Sequence, residues 1–367
     1  MAERGAVPLV PSGRRRALAL ARSFTSPLLP DDYLEMVNPL WSTRELRGRV
    51  VRVQRETAQA VSVVIKPGWE WPGHRPGQYV RLGVAVDGRH HWRAYSLTSE
   101  PGRPDGCIAI TPKQVQDGQV SPFLCRRLRP GAIVRLGGVE GSFTLPERDD
   151  LGPLLFVSAG SGITPIVSMI RSLVRDGRLR DVVHLHSAPS AAEAIFGEEL
   201  RTLSAREPGY ALIERHTHSE GRLRPEELDR VCPDWRERES FVCGPTELLS
   251  QLRERFARDG DETRLHHEHF QPDELLGEGA QGCGGEVRFR SSDLVAVGDG
   301  SQPILALGEQ AGGCLPFGCR MGICHSCTGK LVSGQVRDLR TGRVHGAPGE
   351  QVRTCINAPE GAVEIDL

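Results

Sequence analysis

The chain has 367 residues, which is long enough for two or three domains. Hydrophobic residues make up 38% of it and charged residues 25%, as is typical of a soluble globular protein. The net charge of -1 gives no support for a nucleic-acid-binding protein, and no apolar run is long enough to span a membrane. The N-terminus lacks a secretion signal, and apart from one motif the ten cysteines are scattered singly. We therefore expect a cytoplasmic protein.

Residues 1–40 match no domain pattern and form an N-terminal extension. Three consecutive arginines, at 14–16, precede an Ala-Leu run, and Pro27 and Pro30 prevent a long helix. A short helix is expected over residues 31–37. Two interpretations stay open. The extension packs on the body of the protein, or it is a docking arm for a partner or a membrane surface, with arginine meeting anionic headgroups.

Residues 41–149 are rich in strand signals. Short β-branched runs at 50–53 and 61–65 are separated by Pro-Gly turn pairs. Regular turn signals between short strands predict an antiparallel β-barrel.

Several residues of this barrel have side chains suited to a flavin nucleotide. Arg93 offers a fixed fork to a pyrophosphate, and Tyr95 offers a flat face to a flavin ring. Ser121 followed by Pro122 predicts a helix cap, and the helix would point free amides at an anion.

Residues 150–270 change to an α/β pattern. The apolar run 154–158 is typical of a strand buried on both faces of a sheet. The turn Ala159-Gly160-Ser161-Gly162-Ile163-Thr164-Pro165 follows at once, and a helical pattern comes next. Strand, Gly-rich turn and helix in this order make a phosphate cradle. Further alternation of strands and helices predicts a doubly wound parallel sheet.

Residues 271–284 are predicted to be a linker, and residues 285–367 form the last domain. This domain contains a C-x4-C-x2-C motif with one remote cysteine, the plant-type pattern that binds a [2Fe-2S] cluster. A structural zinc site is the alternative, but zinc sites usually come as paired short C-x2-4-C units. The predicted cluster ligands are Cys319, Cys324, Cys327 and Cys355.

Four motifs occur in the order seen in the ferredoxin–NADP reductase superfamily. They are Arg93-x-Tyr95-Ser96, Gly118-x-x-Ser121, Gly160-x-Gly162-Ile163-Thr164-Pro165 and Cys243-Gly244-Pro245. The chain resembles this superfamily from about residue 45 to its end. The last domain resembles an α+β, β-grasp ferredoxin, which narrows the resemblance to reductases of oxygenases. The chain is similar in particular to actinobacterial reductases that feed fatty acyl-CoA desaturases, and the likeness includes the N-terminal extension.

The resemblance implies roles for the matching positions. The residues implied to bind FAD are Arg93, Tyr95, Ser96, Gly118, Val120 and Ser121. Those implied to bind the nicotinamide nucleotide are Gly160, Gly162, Thr164 and Gly244. Cys243 and Glu268 are implied to be the catalytic residues. Cys243 would lie near the nicotinamide, and Glu268 lies at the C-terminal end of the reductase unit. The alternatives are a plain buried thiol for Cys243 and a residue that only orders the junction for Glu268.

The choice of nucleotide rests on one departure from the superfamily. Many relatives carry Arg after the second strand of the nucleotide domain, where it holds the 2′-phosphate of NADP. Here Pro189 stands in that position, and Ser187, Arg215 and Arg222 are the candidates to replace the missing Arg. NADPH is preferred because the similar relatives use it, and NADH is the alternative.

The resemblance implies an electron path from NADPH through FAD and the cluster to a partner protein. Nicotinamide gives two electrons together and the cluster takes one at a time, so a flavin must lie between them. The expected partner is a membrane di-iron fatty acyl-CoA desaturase, with peripheral membrane contact through that acceptor. The alternatives are a cytochrome P450 or an aromatic or alkane hydroxylase as acceptor, and a redox sensor without turnover. The complete flavin and nucleotide motif sets speak against the sensor.

Overall fold

The computed structural model describes residues 30–42, 44–116, 118–148, 151–270, 283–313, 315–317, 322 and 325–367. This part of the chain forms two compact units. One ends at Glu268, and the other runs from His269 to Leu367 and includes His91–Ala94. Most of the predicted N-terminal extension and linker, together with Cys319 and Cys324, lie outside the described residues. Among the described helices, none is long and apolar enough to cross a membrane.

The first sheet is the predicted antiparallel barrel. Its six strands are β1 (Arg47–Arg55), β2 (Val61–Pro67), β3 (Tyr79–Val86), β4 (Arg89–Ser96), β5 (Ile108–Ile110) and β6 (Ile133–Glu140). They lie in the order β4-β3-β6-β1-β2-β5. An antiparallel bridge between Leu97 and Ile110 joins the two ends of that order and closes the sheet. Strand β2 is buried along almost its whole length, and helix α2 (Val120–Arg126) contributes Leu124 to the same core.

A short helix precedes the barrel, as the sequence predicts. Helix α1 (Pro30–Val37) is followed by a 3-10 turn at Pro39–Trp41. The Glu35 carboxylate accepts a hydrogen bond from Ser42 Oγ at 2.7 Å and lies 3.1 Å from the Arg47 guanidinium. The polar side of α1 therefore faces the start of β1.

The second sheet is parallel and has five strands. They are β7 (Leu154–Ala159), β8 (Val182–Ala188), β9 (Tyr210–His216), β10 (Glu239–Cys243) and β11 (Leu265–Glu268), in the order β11-β10-β7-β8-β9. The helices of this domain are α3 (Ile163–Arg175), α4 (Gly197–Arg206), α5 (Thr217–Glu220), α6 (Leu228–Val231) and α7 (Thr246–Asp259). The chain order reverses beside β7, and ligands of doubly wound sheets bind at the carboxyl ends of the strands at such a point.

Strand β7 supplies side chains to two separate cores. Phe156 packs in one core with Ile166, whereas Val157 packs in the other with Trp235 and Phe256. Successive side chains of a strand point to opposite faces of the sheet. A strand with helices on both faces is therefore apolar throughout, which explains the uninterrupted apolar run in the sequence.

Helix α3 is bonded to the loop that follows β4. Ser168 Oγ donates to the carbonyl oxygen of Ser99 at 2.7 Å, and Arg171 Nη1 donates to the carbonyl oxygen of Thr98 at 2.6 Å. The Arg171 guanidinium also pairs with the Glu199 carboxylate at 2.6 Å. These bonds fix the parallel-sheet domain to the barrel within the first unit.

The C-terminal domain has the predicted α+β architecture. Its strands are β12 (Gly285–Phe289), β13 (Leu294–Gly298), β14 (Thr328–Ser333), β15 (Val336–Asp338), β16 (Val344–His345), β17 (Gln351–Arg353), β18 (Asn357–Pro359) and β19 (Val363–Asp366). The larger sheet has the order β13-β12-β19-β14-β17 and the smaller one the order β16-β15-β18. Helix α8 (Ile304–Gln310) packs Ile304 and Leu307 into one core with Phe289, Leu331 and Ile365.

Candidate flavin, nucleotide and cluster sites

The predicted flavin motif Arg93, Tyr95 and Ser96 lies on β4. Tyr95 is partly buried against the barrel core, and Ser96 is buried. Arg93 Nη1 donates to the carbonyl oxygen of Trp92 at 2.8 Å. Because side chains alternate along a strand, Arg93 and Tyr95 project on the same face of β4. That face can offer a guanidinium and an aromatic ring to one ligand.

Gly118, Val120 and Ser121 lie in and beside the turn that leads into α2. The helix begins at Val120, with Gln119 at the cap position, so the prediction that Ser121 caps it is wrong. Ser121 Oγ instead accepts a hydrogen bond from the Val115 amide at 3.0 Å and closes the turn before the helix. The Ser-Pro pattern led to a wrong prediction because a local pattern gives no sign of this hydrogen bond between the serine and the preceding loop. The first amides of the helix still lack partners within it and can face an anion.

The Gly-rich turn after β7 has the features of a phosphate cradle. Gly160 has a φ of +55°, and no atom lies within 4 Å of the place that a Cβ would take. A methyl group on Gly162 would overlap the carbonyl oxygen of Cys243, so only glycine fits there. Thr164 Oγ1 donates to the carbonyl oxygen of Ser161 at 2.9 Å and fixes the start of α3. The turn can therefore admit a phosphate on the side that Gly160 leaves open.

Cys243 and Glu268 end two neighbouring strands and are paired in register. Burial raises the pKa of the Cys243 thiol well above its usual value. Burial also raises the pKa of Glu268 to about 8, and its Oε2 is buried without a hydrogen-bond partner. Both groups are therefore protonated at neutral pH. A carboxyl oxygen without a partner at the carboxyl end of a parallel sheet fits a site for a nucleotide or flavin, because the bound ligand would supply the missing hydrogen-bond partner. Gly244 follows Cys243 and packs against Ala159.

A buried polar chain crosses the parallel sheet, and the sequence analysis did not find it. Ser158 Oγ lies 2.8 Å from His184 Nε2 and 2.8 Å from His186 Nδ1, and His184 Nδ1 lies 2.6 Å from the Tyr210 hydroxyl. Burial lowers the pKa of His184 well below its usual value and that of His186 to about 4. Both rings are therefore neutral, and they tie β7, β8 and β9 together. The sequence signal was the His-x-His pair within an apolar strand.

A cavity of about 210 Å³ opens at the carboxyl ends of β8 and β9. Of the three residues proposed to hold a 2′-phosphate, Ser187 and Arg215 line it, whereas Arg222 is paired with Glu247. The Arg215 guanidinium lies 3.1 Å from the Glu227 carboxylate, so its charge is already neutralised. The lining also includes carboxylates, namely Glu214, Glu220 and Glu227. The structure therefore brings two of the three candidates together but does not leave Arg215 ready for a phosphate.

The two described cysteines of the cluster motif are buried side by side in the fold. Strand β14 begins one residue after Cys327, and β17 ends two residues before Cys355, and these strands are paired. Thr354 Oγ1 donates to the carbonyl oxygen of Cys327 at 2.8 Å. The Gly322 amide donates to Cys355 Sγ at 3.2 Å. Buried sulfurs that receive amide hydrogen bonds fit the chemistry of iron–sulfur ligands. Within the described residues no metal-binding group of three side chains is complete, since Cys319 and Cys324 lie outside them.

Glu268 generates a prediction about stability and pH. The Glu268 carboxyl has a pKa of about 8 in the folded protein, against 4.5 for a glutamate side chain in water. The folded state therefore binds more protons than the unfolded state between these values, and stability falls as pH rises through this window. The loss is at most about 1.4 kcal/mol per pH unit. We expect Glu268→Gln to raise the melting temperature relative to the parent at pH 8 and above, with the difference vanishing toward pH 4.5.

The control for this measurement is Glu226→Gln, which removes the charge of an exposed carboxylate in the same domain. Thermal unfolding of the three proteins, followed across the pH range, decides the matter. A difference between Glu268→Gln and the parent that stays constant with pH would show that Glu268 does not titrate as its burial implies.

Comparison with known protein families agrees with the three sheets. A family model for an oxidoreductase FAD-binding domain matches residues 70–145, and one for an oxidoreductase NAD-binding domain matches residues 156–254. A third model, for a 2Fe-2S iron-sulfur cluster binding domain, matches residues 290–360. The matches follow one another along the chain in the order that the motifs predict.

Two curated proteins and one solved structure extend this comparison. The chain is 47% identical over 352 residues to an NADPH oxidoreductase of Mycobacterium tuberculosis, a match that covers 95% of this chain and 91% of that protein. It is 30% identical to the glycine betaine monooxygenase reductase subunit of Pseudomonas aeruginosa, covering 80% and 87% of the two proteins. The solved structure of phthalate dioxygenase reductase has a TM-score of 0.56 at 21% identity and covers 88% of this chain and 98% of that one, which shows a shared fold.

The domain order and the identity along nearly the whole chain confirm the resemblance. The chain belongs to the ferredoxin–NADP reductase superfamily, as an NAD(P)H-dependent oxidoreductase of the oxygenase-reductase type, with FAD-binding and NAD-binding domains and a C-terminal [2Fe-2S] domain.

Proposed function

We propose that this reductase passes electrons from NADPH, through FAD and the [2Fe-2S] cluster, to a membrane-embedded di-iron fatty acyl-CoA desaturase. When bound, FAD would supply the chemistry that converts a two-electron hydride transfer into the single-electron transfers that a [2Fe-2S] cluster requires, and the part of this chain is to bind and align these groups. The observation that carries the choice of acceptor is an apolar surface at the N-terminus, which suits a partner that lies in a bilayer.

This surface, the N-terminal apolar face, consists of Tyr33, Met36, Val37, Trp41 and Trp69. Met36 is 78% exposed and Val37 is 74% exposed, while the other three are exposed to a smaller degree. The Trp41 and Trp69 rings stack with their centroids 6.4 Å apart. Several exposed apolar side chains within one short segment favour an interaction site, because single exposed apolar residues are normal whereas large apolar patches in contact with water are rare.

The orientation of helix α1 is the reverse of that expected for a helix that only packs on a core. Glu35 faces the barrel through Ser42 and Arg47, and the apolar residues Met36 and Val37 face solvent. The preceding sequence contains Arg14–Arg16 and Arg22. Basic residues that precede an apolar and aromatic segment in the sequence are typical of a segment that lies on an anionic bilayer.

The proposed roles of the site residues follow from their environments. Arg93 binds the flavin pyrophosphate, and Tyr95 packs on the flavin ring. Gly160 and Gly162 keep the nucleotide turn free of side chains. Glu268, neutral at pH 7, holds a proton beside the Cys243 thiol, where both can face the reacting rings without adding negative charge.

The proposed nucleotide is NADPH. It is supported by the 47% identity to a protein named NADPH oxidoreductase and by the presence of Ser187 and Arg215 in one cavity. A 2′-phosphate would have to draw Arg215 away from Glu227. NADH is the alternative, because its unphosphorylated ribose would leave that ion pair in place.

We predict that Arg93→Ala loses most of its FAD, because a charge-assisted contact to the pyrophosphate disappears. Such a contact is worth about 1.5–3 kcal/mol, so the dissociation constant should rise roughly 10- to 100-fold. Flavin absorbance of the purified protein measures the content, and iron analysis shows that the cluster remains. The control is Arg52→Ala, an exposed arginine of β1. Full flavin in the Arg93 variant would mean that its role has been misassigned.

We also predict that serine at any of the four cluster cysteines abolishes the cluster, whereas Cys314→Ser leaves it intact. The four are Cys319, Cys324, Cys327 and Cys355. Iron and acid-labile sulfide, measured per chain, give the result. The parent should titrate near a potential of roughly -400 mV, as plant-type clusters do. A Cys355→Ser protein with its full iron content would contradict the assignment of Cys355 as a ligand.

Variants of the N-terminal apolar face test the proposal that the acceptor is a membrane desaturase. We expect the double variant Met36→Asp, Val37→Asp to reduce an artificial acceptor at the parental rate, while binding to vesicles of phosphatidylglycerol and phosphatidylcholine falls at least tenfold. Turnover of a membrane desaturase should fall with it. Replacing any one of the arginines at 14–16 and 22 by glutamine should weaken vesicle binding about fivefold, since a basic residue near an anionic surface contributes about 1 kcal/mol to the binding free energy.

Val297→Asp is the control for vesicle binding, because Val297 is also 74% exposed but lies in the C-terminal domain. Unchanged vesicle binding and unchanged desaturation by the double variant would reject the membrane role. Efficient reduction of a cytochrome P450 or a soluble hydroxylase, without support of any desaturase, would favour the alternative acceptors. The 30% identity to a monooxygenase reductase subunit is the observation behind that alternative.

A further inference from the structure

Arg353 is placed where it can act on the cluster loop. It is the last residue of β17 and stands two residues before Cys355. Its Nη1 donates to the carbonyl oxygen of Gly322 at 2.8 Å. Hydrogen bonds from a charged donor are shorter and stronger than neutral ones. The guanidinium therefore fixes the orientation of the peptide that follows Gly322.

Gly322 is held on its other side by a proposed cluster ligand. Its amide donates to Cys355 Sγ at 3.2 Å. It has a φ of +71°, and a Cβ there would overlap Ile356, so no other residue keeps this geometry. One glycine thus links the Arg353 guanidinium to the Cys355 sulfur through its carbonyl and its amide.

The backbone around Arg353 is itself fixed. Asn357 Nδ2 donates to the carbonyl oxygen of Arg353 at 3.0 Å, and the Asn357 side-chain oxygen lies 3.0 Å from His345 Nε2. The next residue, Thr354, donates through both its amide and its hydroxyl to the carbonyl oxygen of Cys327. Residues 353–355 are therefore bonded to both Cys327 and Gly322.

The charge of Arg353 is directed at the loop. Within the described residues, the arginine ion pairs of this region join Arg337 to Glu360 and Arg340 to Asp338, and His345 Nδ1 lies 2.7 Å from the Glu350 carboxylate. Arg353 Nη1 instead donates a hydrogen bond to the carbonyl oxygen of Gly322. The positive charge is linked to Cys355 Sγ through Gly322, whose carbonyl accepts from Arg353 and whose amide donates to the sulfur.

We propose that Arg353 is a positioning residue for the [2Fe-2S] cluster, which aims the Gly322 amide at Cys355 Sγ and raises the reduction potential of the cluster. Reduction adds negative charge to the cluster, so an amide hydrogen bond to sulfur and a nearby cation both favour the reduced form. This inference rests on the proposed assignment of Cys355 as a ligand. It goes beyond that assignment by naming what sets the potential.

The test compares Arg353→Met, Arg353→Gln and Arg353→Lys in the full-length protein with its cofactors. Iron and sulfide content is measured first, and the midpoint potential is then determined by redox titration followed by the EPR signal of the reduced cluster. Methionine and glutamine remove the charge, and lysine keeps it. Lys330→Met, which removes an exposed cation from the paired strand β14, is the matched control.

We expect the two neutral variants to keep their iron while the ratio of reduced to oxidised cluster at a fixed potential falls at least tenfold. That is a shift of about 59 mV for a one-electron couple. The lysine variant should lie between them and the parent, and Lys330→Met should match the parent. An unchanged potential and EPR spectrum in a neutral variant with full iron would overturn the proposal.

Loss of the cluster from both neutral variants, with the lysine variant unchanged in potential, would also overturn it, because Arg353 would then be only an anchor of the loop. Failure of the ligand assignment is seen separately. It would appear as full iron in Cys355→Ser, whatever the Arg353 variants show.

Discussion

The first unit depends on the contact between Gly162 and the backbone of Cys243. No side chain fits between them, so the Gly-rich turn after β7 and the end of β10 are held in one position. The same turn begins helix α3, and α3 bonds through Ser168 and Arg171 to the loop after β4. A series of contacts, through the backbone at Gly162 and through side chains at Ser168 and Arg171, therefore links the nucleotide turn to the loop that follows the strand containing Tyr95. A geometry that is fixed in advance lowers the cost of aligning two rings for hydride transfer.

Two titratable groups near the carboxyl ends of this sheet are uncharged. Glu268 is protonated at neutral pH because of burial, and His186 is neutral for the same reason. His186 is bonded to the neutral Ser158 hydroxyl, and among the described residues Glu268 Oε2 has no hydrogen-bond partner, so neither position offers a counter-charge. The cavity at the carboxyl ends of β8 and β9 differs, because its lining includes Arg215 and several carboxylates. The same burial makes Glu268 the part of the site most sensitive to alkaline pH.

Much of the fold was predictable from the sequence because its signals are local. The apolar run before Gly160, the Pro-Gly turns of the barrel and the cysteine spacing each depend on neighbouring residues. The errors and omissions involve contacts between distant residues. Ser121 does not cap its helix because its hydroxyl binds the Val115 amide. The bond of Arg353 to Gly322 joins residues 31 positions apart, and no local pattern announces it.

The orientation of α1 is another such case, and it bears on how this reductase is matched to its acceptor. The sequence predicts the short helix, but only the bonds of Glu35 to Ser42 and Arg47 show which side faces the barrel. These bonds leave Met36 and Val37 in solvent, which is unfavourable in isolation at roughly 25 cal/mol for each Å² of apolar surface. The hydrogen bonds described for the nucleotide turn and for α3 involve residues outside this helix. A change in the N-terminal extension could therefore change which acceptor binds without changing the path of the electrons. An exposed apolar face is favourable only where a partner or a membrane covers it.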